Sequence, residues 1–208
     1  MKSNLFFNVL IALVVIGFAC EKSPETNLQS QAASETTAAS SVEAEQPVNA
    51  KVELVKFSDY QCPACKYFVP FVNQLKQDYG DDIKVTYKHF PLSMHPYAHV
   101  AARSVEAARV QGKFQEMHDM IFEGQEQWSR GNAEAIFIGY ARALELDVQK
   151  FQQDMNSADM NRIVMADRRE GRDLGISSTP TFFINGVEME SNPNNYPAFK
   201  AVIDQYMD

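Results

Sequence analysis

Between Val52 and Phe90 the chain switches from strand-like to helix-like to strand-like patterning, and that order leaves few topologies open. "VELVKF" at 52–57 is apolar on both faces through Val52, Leu54, Val55 and Phe57, which suits a central strand better than a solvated edge. After a turn at Cys62-Pro63-Ala64-Cys65, Phe68, Phe71, Val72 and Leu75 recur at helical spacing up to Gly80. "IKVTYKHF" at 83–90 then reads as a second strand. Strand, helix, strand predicts a right-handed crossover with the two strands parallel.

A block of helices is expected next. Pro96 opens a first apolar stripe, Tyr97 to Ala108, that stops at Gly112; Phe114 to Phe122 forms a second, ending near Gly124; Ile136 to Leu144 forms a third. Val148, Phe151 and Met155 follow Asp147, and a fifth stripe runs from Met160 to about Leu174. The end returns to β structure: "TPTFFI" as a strand, Asn185-Gly186 as a hairpin turn, "VEME" as the partner strand, and Ala198 to Met207 as a closing helix. The expected order is β-α-β, an all-helical block, then β-β-α. With 208 residues, 45% hydrophobic and 11% aromatic, the chain can build a core without a disulfide staple.

The N-terminal segment carries an export pattern. Lys2 precedes an apolar run from Leu5 to Ala19 that is shorter than the ~20 residues of a spanning helix and ends in Gly17-Phe18-Ala19. Residues 1–19 are therefore expected to be a signal peptide. Cys20 follows directly, as at a bacterial lipidation site, although Gly17 stands where Leu or Val is usual; plain secretion with a stray thiol is the alternative. Acylation of Cys20 would leave an even pair of cysteines in an oxidising compartment. Residues 20–50 are polar and lack aromatics, so they read as a flexible tether, with a reach of about 30 Å as a random coil. Loss of residues 1–19 removes Lys2 and no acid, taking the formal charge from −8 to −9. An acidic chain with no basic cluster argues against nucleic acid as a partner.

Cys62 falls at a helix N-cap, with Pro63 at the first helical position and Cys65 at the third. A thiolate there faces free backbone N–H groups and the positive helix end, which lowers its pKa and makes it a nucleophile. Cys65, one turn along, is placed to close a disulfide and is expected to be less exposed. A permanent staple is the alternative, but so short a loop removes little chain entropy. Zinc needs a second pair of ligands, and only Cys20 remains. Copper is a further alternative: His89, Met94, His95 and His99 in "HFPLSMHPYAH" could join the thiols. Pro91 and Pro96 make that segment a loop and helix start, however, and all four histidines, His118 included, also suit packing or surface positions. Pro70 is expected to kink its helix. Pro180 opens a strand after Thr179, either as a cis bond presenting backbone to a partner or as an ordinary trans edge proline.

These motifs in this order resemble the DsbA-like thiol:disulfide oxidoreductases of the thioredoxin superfamily. The resemblance covers residues 51–208 and rests on "FSDYQCPACK", "FPLSMHP", "GKFQEMHDMIF" and "STPTFFING". It implies an α/β, thioredoxin-like fold with an all-helical insertion at about 95–175 between the two β-containing halves. It also implies a cis Thr179-Pro180 bond packed against the cysteine pair, Thr179 backbone groups offered to a substrate strand, and a groove nearby. No metal or organic cofactor is implied. Expected partners are exported proteins bearing thiols or disulfides and a membrane redox protein that recycles the pair, with anchoring through a lipid on Cys20 on the extracytoplasmic side. Disulfide formation is the expected direction, and reduction or isomerisation the alternative. Pro63 and Ala64, which tune such couples, match neither the histidine of strong oxidants nor the Gly-Pro of reductants.

One position departs from the family pattern. Six residues before the first cysteine many relatives carry a buried acid; here it is Lys56. Pointing inward, Lys56 would favour thiolate and make the couple more oxidising; it could equally snorkel to solvent. Glu53 and Asp59 are the nearby acids.

Overall fold

Strand β1 (Val52–Ser58) lies inside a four-stranded sheet of order β2-β1-β3-β4. This is seen in a computed structural model that describes residues 49–207. Strand β2 (Ile83–His89) pairs parallel with β1, and β3 (Thr181–Ile184) pairs antiparallel on the other side, so β1 is central as its apolar faces predict. The expected leader, Cys20 and nearly all of the tether lie outside the described residues. Among the described residues, no helix is long and apolar enough to cross a membrane.

The crossover helix is broken, not kinked. Helix α1 (Pro63–Tyr67) ends at Phe68, and α2 (Val69–Tyr79) starts at once with Pro70 in its first turn. Proline has no N–H to continue α1, whereas in a first turn none is needed. Phe68, buried at the junction, stacks edge-on against Phe182 and Phe199 and pins the break to the sheet.

The helical block comprises α3 (Ala98–Arg109), α4 (Phe114–Glu123), α5 (Gln125–Trp128), α6 (Ala133–Ala143), α7 (Val148–Met155) and α8 (Ala158–Asp173). Asp147 and Ser157 cap α7 and α8 through their side chains. The short α5 has too few residues to show a period, and its sequence announces only a stop at Gly124. Asn185 and Gly186, both at positive φ (48° and 81°), form the two-residue hairpin to β4. That strand is only Val187–Glu188, shorter than "VEME" suggests, and the closing helix α9 (Tyr196–Asp204) starts earlier than its apolar stripe.

Three apolar clusters hold the layers. Leu54, Val72, Leu75, Phe182, Phe199 and Ile203 fill the space between the sheet, α2 and α9. Phe57, Phe90, Ile176 and Phe183 cover the opposite face. There α8 comes so close that a Cβ on Gly171 would lie 2.6 Å from the Phe90 ring. The third cluster is the interior of the helical block, and it includes Cys62 and Cys65. The cysteine pair thus sits where the helical block meets the sheet.

Candidate active site

Cys62 occupies the N-cap of α1 with extended backbone angles, φ −78° and ψ 120°, and Cys65 stands at the third helical position. Both are thiols. Cys62 is 7% exposed and Cys65 fully buried, while Pro63 and Ala64 between them are exposed. The outer sulfur is therefore the one a second molecule can reach.

The two thiols are pushed in opposite directions. Cys62 falls from an ordinary 9.0 to about 5. A hydrogen bond from the Cys65 thiol is the largest cause, burial works against it, and the backbone N–H groups of Cys65 and Ala64 and the side chain of Thr179 help. No N–H caps the Cys62 sulfur with good hydrogen-bond geometry, so the backbone acts as a set of facing dipoles. Cys65 is pushed well up, first by burial and then by its bond to Cys62, with Lys56 opposing. The Asp59 N–H donates to its sulfur at 3.4 Å.

Across the site, the Thr179–Pro180 bond is cis, and the Cys62 thiol donates to the Thr179 carbonyl oxygen at 3.4 Å. The Thr179 hydroxyl is buried and makes no hydrogen bond of ordinary geometry in this thiol form. Pro180 stands just before β3, which begins at Thr181, and its carbonyl accepts from Asn192 at 2.8 Å. An open cleft of about 650 Å³ beside Cys62 is lined by Pro63, Lys66, Tyr67, Pro70, Phe71 and Gln125 among others.

Lys56 points inward. It is fully buried on the sheet face shared with Val52 and Leu54, and its Nζ donates to the Cys65 carbonyl at 3.3 Å. Neither nearby acid takes the place of the family's buried carboxylate. Glu53 pairs with Lys84 at a partly exposed position. Asp59 is buried, but its carboxylate accepts from the N–H groups of Gln61 and Leu92 and pairs with His95 Nδ1 at 2.8 Å.

Two further histidines are also spoken for. His89 pairs with Glu106 at 2.7 Å, and His118 Nδ1 hydrogen-bonds the Tyr60 hydroxyl at 2.8 Å. Burial pushes His118 well down and Tyr60 well up, so the pair is a neutral imidazole and a phenol. Met94 is 76% exposed. Among the described residues, no three His, Cys, Asp or Glu gather as a metal site, so the copper set is not assembled.

Gln125, absent from the expected site, donates to the carbonyls of both Tyr60 (2.7 Å) and Cys62 (3.0 Å), fastening the CPAC turn to α5. Nothing local marks it, because the contact joins positions 63 apart.

The family described as Thioredoxin matches residues 47–205. The chain belongs to the thioredoxin family. A thioredoxin-like oxidoreductase from Silicibacter pomeroyi superposes with a TM-score of 0.64 at 25% identity, over 77% of this chain and 89% of that one. The thiol-disulfide exchange protein alpha-DsbA2 from Wolbachia pipientis superposes at 0.66 and 21% identity, over 76% and 83%. The fold is thus the DsbA-like form of thioredoxin, with its helical block inserted between the two β-containing parts. The Na(+)/H(+) antiporter NhaA 1 of Salinispora arenicola is 40% identical over 143 residues, covering 67% of this chain. This chain spans only 21% of that antiporter's length.

Proposed function

We propose that this thioredoxin-family chain is a thiol:disulfide oxidoreductase. It works outside the cytoplasm, held to a membrane through a lipid on Cys20, and passes disulfides from Cys62–Cys65 to exported protein clients. A membrane redox partner reoxidises it. The observation that carries the reading is the split pair: a Cys62 that keeps a small exposed edge and is pulled down to about 5, beside a fully buried Cys65 pushed well up. A structural staple has no use for that asymmetry. The two solved relatives described as an oxidoreductase and a thiol-disulfide exchange protein lend it support.

The geometry supports donation in the following way. A client thiolate attacks Cys62 Sγ, the Cys62–Cys65 bond breaks, and the Cys65 sulfur leaves and is held as a buried thiol. A second client thiolate attacks the client sulfur of the mixed disulfide; the client disulfide forms and Cys62 leaves as a thiolate. A leaving thiol of low pKa departs faster, and stabilising the reduced form makes the couple more oxidising. Thr179 backbone beside Cys62, and the cleft along Pro63 and Tyr67, offer the client chain a bed.

Equilibration of the full chain with glutathione, read by trapping free thiols, tests this. The expected potential lies well above the about −270 mV of a reductant such as thioredoxin. Cys62→Ser should abolish exchange, and Cys65→Ser should accumulate mixed disulfides through Cys62. A pair that never equilibrates would be a staple.

A further inference from the structure

Lys56 is a cation buried without a permanent counter-ion. Its Nζ makes one hydrogen bond, to the Cys65 carbonyl, and lies 5.2 Å from the centroid of the Phe122 ring. An ammonium has three protons to place, and no carboxylate stands within ion-pair distance of it among the described residues. Burying an unpaired charge is expensive, so the side chain must either lose its proton or find an anion made on the spot.

The groups around it leave one source for that anion. From β2 and β3 the neighbours in register are Tyr87, which burial keeps protonated, and Phe182. From α4 come the neutral His118, Phe122 and Asp119, whose charge acts from beyond pairing distance. From α1 come Cys65 and Cys62, the two largest influences that favour the charged lysine. A thiolate exists there only while the pair is reduced.

We propose that Lys56 carries a redox-linked proton: it is an ammonium while Cys62 and Cys65 are reduced, and releases that proton when they close to a disulfide. This rests on the reading of the pair as a redox couple. The stoichiometry closes. Disulfide, neutral Lys56 amine and two client thiols become Cys62 thiolate, Cys65 thiol, Lys56 ammonium and a client disulfide. Two electrons pass to the protein, one client proton ends on Cys65 and the other on Lys56, and none is exchanged with solvent. In the reduced protein burial has already pushed Lys56 down to about 8, with Cys65 and Cys62 opposing; closing the disulfide removes both opposing influences. Lys56 thereby gives the buried charge a place to go in each half of the cycle, as a positioning residue for the pair.

The test is the pH dependence of the glutathione equilibrium of the full chain, wild type against Lys56→Met. Between about pH 6 and about pH 8 each glutathione disulfide reduced binds two protons, whereas the variant, with Cys62 as thiolate, binds one. Its equilibrium constant for oxidation should therefore fall about tenfold per pH unit, about 30 mV relative to glutathione. In the wild type Lys56 supplies the second proton, and the constant should change by less than about threefold per unit. Parallel tenfold slopes would overturn the proposal. Absence of any exchange with glutathione would instead sink the redox reading, and this one with it. Should Lys56→Met not fold, an NMR titration of the Lys56 amine in the wild type decides. Its midpoint should be lower in the oxidised than in the reduced protein, and equal midpoints count against the assignment.

Discussion

Cys62 and Cys65 are separated by one helical turn, yet the accessible one is made acidic and the buried one is not. The difference was legible in the residues, since a cysteine at an N-cap faces unpaired N–H groups and one at the third position turns inward. Its largest cause, the Cys65 thiol donating to Cys62, also follows from the spacing. The expected consequence is a thiolate absorbance near 240 nm that is lost on acidification of the reduced protein with a midpoint near pH 5, and with it fast alkylation of Cys62. The folded value lies below the unfolded 9.0, so the thiolate adds stability that is complete above about 9 and lost as pH falls through about 5. A midpoint near 9 would mean that the Cys65 thiol, with Thr179 and the α1 backbone, does not act on the sulfur. The direction of Lys56 was half visible: period-2 alternation puts it on the face of Val52 and Leu54, but a lysine's long stem can usually escape. Here Phe122 and the cysteine turn close the exit.

At the scale of elements, local chemistry placed most boundaries. Asp147 announces α7, and Asn185-Gly186 announces the hairpin. Pro70 announces a disturbance, but whether a helix bends or restarts depends on whether the junction residue can be buried, and Phe68 can. How α3 attaches to β2 was not legible. His89 at the end of β2 pairs with Glu106 on α3, and Arg109 donates to the same carboxylate at 2.9 Å. Burial opposes the charge on Glu106, but His89 and Arg109 outweigh it and hold the carboxyl at about 2, below an ordinary 4.5. That stabilisation is present above about 4.5 and is lost as pH falls through about 2, and it amounts to roughly 3 kcal/mol. Glu106→Gln should thus destabilise the protein at neutral pH by about that much, leaving Arg109 and His89 facing an uncharged amide. Urea unfolding at a series of pH values should show the gap closing below about pH 4.5. A loss independent of pH would assign Glu106 a packing role instead.

For the molecule as a whole, anchoring is the open dimension of the proposal, because it rests on residues 1–50 and the chemistry rests on the folded domain. If a lipid on Cys20 is the anchor, Cys20→Ser should move the protein from the membrane to the soluble fraction without altering glutathione exchange. Unchanged fractionation would remove the lipid and leave the redox reading intact. The succession of β-α-β, helical block and β-β-α, the parallel crossover, the central strand, the N-cap cysteine and its buried partner could be read from residues alone. Each depends on periodicity, caps and turns, which act over a few positions. The fate of Lys56 and the links of Asp59 to His95 and of Gln125 to Cys62 could not. They depend on how the helical block docks on the sheet, a contact between segments far apart in the chain whose geometry no local pattern encodes.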